Sequence, residues 1–344
     1  MRDVILQNME RFRFRVAPIL ERNFPQLFRS LRPIWRRGKG FVQYIHGTPS
    51  DALARLEHDL NPPLPLPQEV SYEDLLAFLS AVRVSNAPEA EMAAYCSGDF
   101  KRFVYTFGMT RGLTGRCLEL GSNPYFTTML LKQFSTLDVT SANYFSEDCD
   151  TVITQNIDCI NWDTKKKETV SILSYHFNIE TDRFPFKDEE FDVVLFCEII
   201  EHLIVEPMWA LREIKRVLKR GGTLILTTPN VARLENIARL LRGHNIYDPY
   251  SGYGPYGRHN REYTIHEVQA LLSYLGYEVS EWFTADVHPT RSMDLIDLDR
   301  LSIDIAERSR DLGQYLFVRA VNARDGNTKR PAFLFRSYPP DELE

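Results

Sequence analysis

The chain has 344 residues, of which 44% are hydrophobic and 26% charged, and its formal net charge is −6. This apolar content suffices for a sizeable core and excludes a disordered, collagen-like or coiled-coil chain. No run approaches the ~20 apolar residues that a membrane-spanning helix needs. The five cysteines form no C-x-x-C pair, so neither a disulfide framework nor a zinc knuckle is expected. The N-terminus lacks the apolar core of a signal peptide, and we therefore expect a cytoplasmic protein.

The first forty residues are strongly basic, with ten Arg or Lys and three acidic residues, while the remainder carries a net charge of −13. Three prolines (Pro18, Pro25 and Pro33) exclude one long amphipathic helix. This arm, which interleaves arginine with Phe and Trp, suits either an anionic membrane surface or an acidic protein partner. The alternative is a helical appendage whose aromatic residues pack on the body. Nucleic acid is not expected, because the rest of the chain is acidic.

A stiff proline-rich linker spans residues 61–67, and Ser71 follows as a predicted N-cap for a helix reaching about residue 81. Residues 1–110 are therefore predicted to form a basic, helical N-terminal region.

Strand and helix patterns alternate after this region. The predicted strands are 116–120, 137–142, 172–178, 191–197 and 223–228. The predicted helices are 126–134, 206–219 (stopped by Gly221-Gly222) and one that begins at Thr264 with a capping box to Glu267. Two final strands, 277–285 and 314–322, are compatible with an antiparallel edge. The pattern predicts a doubly wound, mostly parallel α/β sheet over residues 111–325, with a tail at 326–344.

Polar residues follow the predicted parallel strands, where ligands of such sheets bind. Glu119 and Gly121 end the first strand, but Asn123 and Phe126 break the G-x-G-x-x-G fingerprint of dinucleotide enzymes. Asn143 stands where those enzymes place an acid, so a dehydrogenase is disfavoured. The Asn143 amide suits ribose hydroxyls, although a turn residue would have the same identity.

Two further segments complete this edge of the sheet. Asn178 suits an adenine edge, with Ile179 covering a ring face, and a role in a turn is again the alternative. The strand 191–197 runs directly into Glu198, Glu201 and His202.

Five motifs then occur in a characteristic order. They are Glu119-Leu-Gly121, Phe184-Pro-Phe186, Phe191-Asp192-Val-Val, Glu198-Ile-Ile-Glu-His202 and Lys219-Arg-Gly-Gly-Thr223. Over roughly residues 112–285 the chain resembles the class I S-adenosylmethionine-dependent methyltransferases, in their type-11/type-23 branch. The resemblance implies a Rossmann-like sheet of seven strands with a reversed final strand.

The resemblance also implies a cofactor site. The turn Glu119, Gly121, Ser122 and Asn123 would lie near the methionine part of S-adenosylmethionine, Asn143 at the ribose, Asn178 and Ile179 at the adenine, and Cys197 and Glu198 beneath the sulfonium. This chain departs from the family pattern at the ribose, where an acid is usual, and at Asn123 and Tyr125, where glycines often occur. Weaker cofactor contacts are therefore expected. A catalytically silent, cofactor-binding subunit stays an alternative.

Methyl transfer to a hydroxyl requires alignment and a base. His202 is the first candidate, His259 the second, and Glu201 belongs to the same catalytic group. The Glu198-x-x-Glu201-His202 segment also resembles the metal-binding element of ubiquinone-pathway and small-RNA 2′-O-methyltransferases. Its i, i+3, i+4 spacing predicts one helical face, with His259 as a fourth ligand for a divalent metal such as Mg²⁺. In other relatives the Glu-His pair only orients the pocket, without a metal.

Residues 243–263 form a long segment with five tyrosines and four glycines. It is predicted to be a lid that stacks on a sugar or another hydroxylated ring, or else a crossover whose tyrosines pack on the sheet. We expect an O-methyltransferase that acts on a saccharide or glycolipid, held near a membrane through the basic arm. A phenolic or quinone-type acceptor is the alternative among enzymes.

Overall fold

The computed structural model describes residue 56 and residues 58–85, 87–146, 150–288 and 308–344. The chain divides into two compact units, Met1–Arg55 and Leu56–Glu344, and the description below concerns the second. The predictions for the basic arm lie outside the described residues. Among the described helices, none combines the length and the apolar character that crossing a bilayer demands.

Helices and strands alternate along most of this unit. The helices are α1 (Tyr72–Ser80), α2 (Glu89–Met109), α3 (Phe126–Phe134), α4 (Met208–Val217), α5 (Leu234–Leu241) and α6 (Ile265–Tyr274). The strands are β1 (Arg83–Val84), β2 (Gly115–Leu120), β3 (Leu137–Asn143), β4 (Val152–Ile160), β5 (Lys167–His176), β6 (Phe191–Cys197), β7 (Leu218–Pro229), β8 (Tyr277–Ala285) and β9 (Tyr315–Asn322).

All these strands belong to one sheet in the order β1-β4-β5-β3-β2-β6-β7-β9-β8. The central strands, from β5 to β7, are parallel, and β9 runs antiparallel to both β7 and β8. The mostly parallel sheet and its reversed final strand are therefore confirmed.

The predicted count of seven strands is wrong, because nine strands of the described residues belong to this sheet. β4 pairs antiparallel with β5, and the short β1 pairs antiparallel with β4. One side of the β4–β5 hairpin is exposed, so polar residues such as Asn156 and Asp158 interrupt its apolar pattern. Because β5 pairs with β4 from Lys167 onward, it spans Lys167–His176 and begins earlier than the predicted strand 172–178.

The Gly221-Gly222 pair lies inside β7, although it was predicted to stop the preceding helix. That helix, α4, ends at Val217, and Leu218 already pairs with Phe191. A Cβ added at Gly222 would lie 3.0 Å from the carbonyl oxygen of Asp192. The glycine thus permits a close approach of two strands where their register shifts.

Helices cover both faces of the sheet centre. In β6, Val193 and Leu195 enter the core cluster that includes residues of α1, α2 and α3, while Val194 and Phe196 enter the cluster with α4 and α6. This double burial explains the continuous apolar sequence of β6. α1 and α2 share their core with the sheet, and the predicted domain boundaries stay predictions.

Two predicted helix starts are confirmed in detail. The Ser71 side chain accepts a hydrogen bond from the Asp74 amide at the start of α1. At α6, Thr264 and Glu267 form both bonds of a capping box. Each pair satisfies amides that the first helical turn leaves without partners.

Two glycines with the same backbone conformation test the packing of the last strands. Gly112 (φ +74°) has no atom within 4 Å of an added Cβ, whereas at Gly276 (φ +81°) that atom would lie 2.6 Å from the Asp325 carbonyl oxygen. Gly112→Ala should lower the free energy of unfolding by about 1 kcal/mol, the cost of the left-handed conformation alone. Gly276→Ala should cost roughly 2 to 4 kcal/mol, because overlap is added to that strain. Equal losses in urea-induced unfolding would contradict this packing.

Candidate functional site

The turn after β2 is fixed to the end of β3. Gly121, with φ +64°, and Ser122 both donate their amides to the Ala142 carbonyl, at 2.8 and 3.3 Å. A Cβ at Gly121 would lie 2.9 Å from Ile199, so only glycine combines this conformation with this contact. The turn therefore sits at the carboxyl edge of the parallel strands, as predicted for a ligand-binding turn.

Asn143 organises this turn from inside the protein. Its side-chain oxygen accepts the Asn123 amide at 2.8 Å, and its NH₂ group donates to Ser122 Oγ, Ser174 Oγ and Tyr125 Oη. Tyr125 adopts φ +70° where the family often has glycine, and its ring is fully buried. The Asn143 amide is thus already engaged, and its predicted ribose contact stays a prediction that requires some of these bonds to be exchanged.

Glu119 is buried beneath the turn. Thr128 Oγ1 donates to its carboxylate at 2.5 Å. Burial raises the pKa of Glu119 to about 8, so the carboxyl is largely protonated at neutral pH.

Glu198 occupies a position different from the predicted one. It has φ +56°, and its carboxylate accepts a hydrogen bond from Thr227 Oγ1 at 2.7 Å. Only Ile200–His202 forms a helical turn, of 3₁₀ type. The prediction that Glu198, Glu201 and His202 share one helical face is therefore wrong, because the helix begins after Glu198.

Glu201 and His202 form the centre of the candidate site. Glu201 is fully buried; Thr228 Oγ1 donates to its Oε2 at 2.8 Å, while its Oε1 has no hydrogen-bond partner among the described residues. That orphan oxygen lies 3.8 Å from His202 Nε2. Burial raises the pKa of Glu201. A buried carboxylate oxygen without a partner is costly, which is typical of a site that receives a ligand.

The hydrogen bonding of His202 fixes its tautomer. Its Nδ1 lies 3.0 Å from the Arg258 carbonyl oxygen, which can only accept, so Nδ1 carries the proton. Nε2 then presents its lone pair toward Glu201. Burial, together with the neighbouring His259, lowers the pKa of His202, which keeps the ring neutral.

His259 lies beside His202 with the opposite electrostatic tendency. The two ring centroids are 5.0 Å apart, and His259 Nδ1 is 2.8 Å from Glu262 Oε1. Burial disfavours the charged ring, but Glu262, Glu201 and Asp248 outweigh it, and the pKa of His259 is raised. The structure thus brings together both predicted histidines and Glu201, with donor atoms within 4.8 Å of one another.

One end of the segment 243–263 is hydrogen-bonded to this centre. Asn260 donates its backbone amide to the Glu201 carbonyl at 2.7 Å and its side-chain amide to the His202 carbonyl at 2.9 Å. Tyr263 is buried in the core, as the crossover interpretation predicts. Tyr247, Tyr250 and Tyr253 are exposed and do not pack on the sheet.

The predicted adenine-side residues lie under Tyr256. The Tyr256 hydroxyl is 3.5 Å from Asn178 Nδ2, and its ring meets Tyr144 edge-on at 6.3 Å. Ile179 is partly buried beside them. Cys197 ends β6 with its thiol 3.9 Å from the Ile225 carbonyl, and burial raises its pKa.

Sequence reasoning missed Arg102, a buried residue of α2. Its Nε donates to Asp99 at 2.9 Å and its Nη2 to the Tyr95 hydroxyl at 2.6 Å, while Nη1 has no hydrogen bond within the described part of the chain. Burial disfavours its charge, but Tyr95, Glu198 and Asp99 outweigh it, so the pKa of Arg102 is raised. An Asp-x-x-Arg pair inside an otherwise aromatic helix was the available signal.

The buried Glu119 should make stability depend on pH. The pKa of Glu119 is about 8 in the folded protein, against an ordinary value of 4.5. The protonated carboxyl therefore contributes fully to the free energy of unfolding below pH 4.5, and this contribution is lost as pH rises through 8. Glu119→Gln cannot ionise, so its free energy of unfolding should not fall in this way. Above pH 8 the variant should be more stable than the wild type, by an amount of the order of a few kcal/mol. Thermal unfolding across the range measures it, and Glu89→Gln, an exposed glutamate, serves as control. Parallel pH profiles for wild type and Glu119→Gln would contradict the raised pKa.

Comparison with known proteins gives a consistent family. Residues 120–226 match the family model described as a methyltransferase domain. No curated protein matches significantly.

Similar solved structures include a complex between the Haloferax volcanii Trm112 methyltransferase activator and a putative methyltransferase (15% identity, 68% of this chain and 93% of that one, TM-score 0.41). They also include a Thermotoga maritima methyltransferase described as a possible histamine N-methyltransferase (15% identity, 68% and 95%, TM-score 0.41). A third is the [4+2]-cyclase SpnF (14% identity, 80% and 92%, TM-score 0.39). At these TM-scores the likenesses carry no argument about activity.

The strand order of the sheet, the reversed β9 and the family match over residues 120–226 agree. Residues 120–226 therefore match a methyltransferase domain, and the Rossmann-like sheet around them is consistent with a class I S-adenosylmethionine-dependent methyltransferase.

Proposed function

We propose that this enzyme methylates a hydroxyl group of a saccharide or glycolipid, with His202 as the base that takes the hydroxyl proton. The observation that supports the proposal most is the pair formed by the Glu201 Oε1 orphan oxygen and His202 Nε2, 3.8 Å apart. A neutral imidazole with a free nitrogen can accept a proton, and a buried carboxylate beside it stabilises the charged ring that results.

A buried cation supports the proposal that S-adenosylmethionine binds here. Arg102 is a buried cation whose Nη1 lacks a hydrogen bond within the described ranges, and Glu198 is close enough to raise its pKa. An α-carboxylate is the kind of group that such a guanidinium binds. We therefore add Arg102 to the proposed cofactor residues, with Glu119, Gly121, Ser122, Asn123, Asn143, Asn178, Ile179, Cys197 and Glu198.

When bound by the turn at Glu119–Asn123 and by Arg102, S-adenosylmethionine would supply a methyl group that its sulfonium activates for transfer to the acceptor oxygen. His202 receives the hydroxyl proton at Nε2, because Nδ1 already donates to the Arg258 carbonyl. Glu201 Oε1 stabilises the resulting imidazolium from 3.8 Å. Placing these groups in a water-poor edge strengthens that attraction.

His259 takes a complementary role. Its raised pKa favours the protonated ring, so it donates a hydrogen bond to the acceptor, while Glu262 orients it from 2.8 Å. Two neighbouring groups with pKa values shifted in opposite directions are typical of a divided acid and base assignment.

The tyrosines of segment 243–263 favour a hydroxylated acceptor. Tyr247, Tyr250 and Tyr253 are exposed on the segment that also carries His259. Tyrosine offers an apolar ring face and a polar hydroxyl, which together suit the faces and edges of a sugar. A phenolic acceptor would use the same rings for stacking, so the acceptor class is settled by assay.

The same cluster also suits a divalent cation, although its residues differ in part from those predicted. Glu201, His202 and His259 place donor atoms within 4.8 Å of one another. Glu198 was predicted as a further ligand, but among the described residues it belongs to no such cluster. Both Nδ1 atoms are engaged by the Arg258 carbonyl and Glu262, as in oriented metal ligands. Two imidazoles and a carboxylate suit Mn²⁺ or Zn²⁺ better than Mg²⁺. Such an ion would polarise the acceptor hydroxyl.

Arg102 should determine cofactor affinity. Arg102→Met is expected to weaken binding of S-adenosylmethionine by roughly 10- to 100-fold, because a charge-assisted hydrogen bond is lost, and Arg102→Lys should weaken it less. Isothermal titration measures both, and Arg183→Met, an exposed arginine, is the control. Unchanged affinity in the folded variants would remove Arg102 from the site. Absence of binding in the wild type would eliminate the enzyme interpretation altogether.

His202→Ala should lower kcat by roughly 100- to 10,000-fold, because the proton acceptor is lost. Transfer of labelled methyl to free saccharides, glycolipids and catechols identifies the acceptor and measures the rate. In the wild type, kcat/KM should rise with pH through the lowered pKa of His202, and this acidic limb should disappear in His202→Ala. His266→Ala, an exposed histidine, is the control.

Full turnover in both His202→Ala and His259→Ala would refute the base assignment.

Chelation tests the cation arrangement. Loss of activity with EDTA and its return with Mn²⁺ would support an ion. Titration of Mn²⁺ without substrate should then show binding to the wild type and not to Glu201→Gln.

A further inference from the structure

Five large side chains project into solvent from one continuous stretch of chain. Leu240 and Leu241, at the end of α5, are 56% and 66% exposed, and Tyr247, Tyr250 and Tyr253, in the loop that follows, are 83%, 93% and 85% exposed. We refer to these five residues as the Leu240–Tyr253 patch. Such clustering of exposed apolar and aromatic groups is typical of an interaction surface.

The start of α5 is anchored in the core. Leu234 is fully buried with Leu56, Leu60 and Leu312. Ala238 is also buried. The core therefore fixes the first turn of the helix, and Leu240 and Leu241 stand exposed at its C-terminal end.

The charge around the patch indicates what it meets. Residues 239–258 contain three arginines, Arg239, Arg242 and Arg258, and a single acidic residue, Asp248, in a chain whose net charge is −6. Arg239 is paired with Glu235 just outside this stretch, and the Arg258 guanidinium lies 4.9 Å from the Tyr250 ring. The basic arm of residues 1–40 has the same sign, so charge does not favour it as the cover of this patch.

We infer that the Leu240–Tyr253 patch docks on the surface of an anionic phospholipid bilayer. Leucine side chains enter the acyl boundary, tyrosine rings remain at the depth of the headgroups, and arginines neutralise lipid phosphates. The patch supplies the leucines and tyrosines, and Arg239, Arg242 and Arg258 lie within or beside the same stretch of chain.

Docking has a consequence for the acceptor, and this consequence rests on the proposed function. The loop continues from the patch to Arg258 and His259, which contact His202. A docked patch would therefore bring the candidate site to the headgroup region, and the methylated hydroxyl would belong to a lipid-linked saccharide.

Vesicle binding of the full chain tests the inference without cofactor or acceptor. Wild type should co-sediment with equimolar phosphatidylcholine and phosphatidylglycerol vesicles and much less with phosphatidylcholine alone. Leu240→Glu/Leu241→Glu should weaken binding by roughly tenfold or more, because insertion of the leucines is lost. Leu173→Glu, which changes a 64% exposed leucine on β5 outside the patch, should bind like wild type.

Thermal unfolding of each variant verifies that it is folded, and Arg242→Glu is a second variant that should weaken anionic-vesicle binding. Wild-type binding by Leu240→Glu/Leu241→Glu would overturn the inference and assign the interaction to the basic arm. Absence of vesicle binding by the wild type would also overturn it. Self-association that the double variant abolishes, without vesicle binding, would identify a protein contact instead. Cofactor affinity is expected to be unchanged in the double variant, so the inference and the proposed function fail independently.

Discussion

Three glutamates at the carboxyl edge of the sheet, two buried and one partly buried, impose the main electrostatic constraint on this protein. Glu119, Glu198 and Glu201 each accept a hydrogen bond from a threonine hydroxyl, those of Thr128, Thr227 and Thr228. Burial raises the pKa of all three. The threonine hydroxyls bring no positive charge to this edge, so a carboxyl group there either holds a proton or favours a cation or a positively charged ligand.

The parallel centre of the fold was predictable because its residues are buried on both faces. The continuous apolar run of β6 and the capping box of α6 are patterns of neighbouring residues, which suffice to predict a strand and a helix start. Both predictions are confirmed. The β4–β5 hairpin was not predictable in the same way, since one of its faces is exposed and its pairing adds strands at the edge. Gly221-Gly222 misled the prediction because glycine marks a helix end and a close strand contact equally well.

The candidate site was predictable only as far as chain neighbours determine it. His202 and Glu201 adjoin in sequence, and their meeting with His259 followed from the family resemblance. The left-handed backbone at Glu198 could not be read from spacing, because it depends on the bond to Thr227 in the next strand. Arg102 lies in α2, far away in sequence; its Asp-x-x-Arg pair signals a buried charge, but no local pattern shows that this charge lies near Glu198.

The two hydrogen bonds from Asn260 to the backbone of Glu201 and His202 join the segment 243–263 to the turn that carries the candidate site. Lifting this end of the loop would therefore disturb the backbone of Glu201 and His202, the pair at the centre of the candidate site. In the proposed function, acceptor and product would then exchange from the side that carries the exposed tyrosines, while Asn260 holds the backbone that carries the His202 imidazole in one orientation.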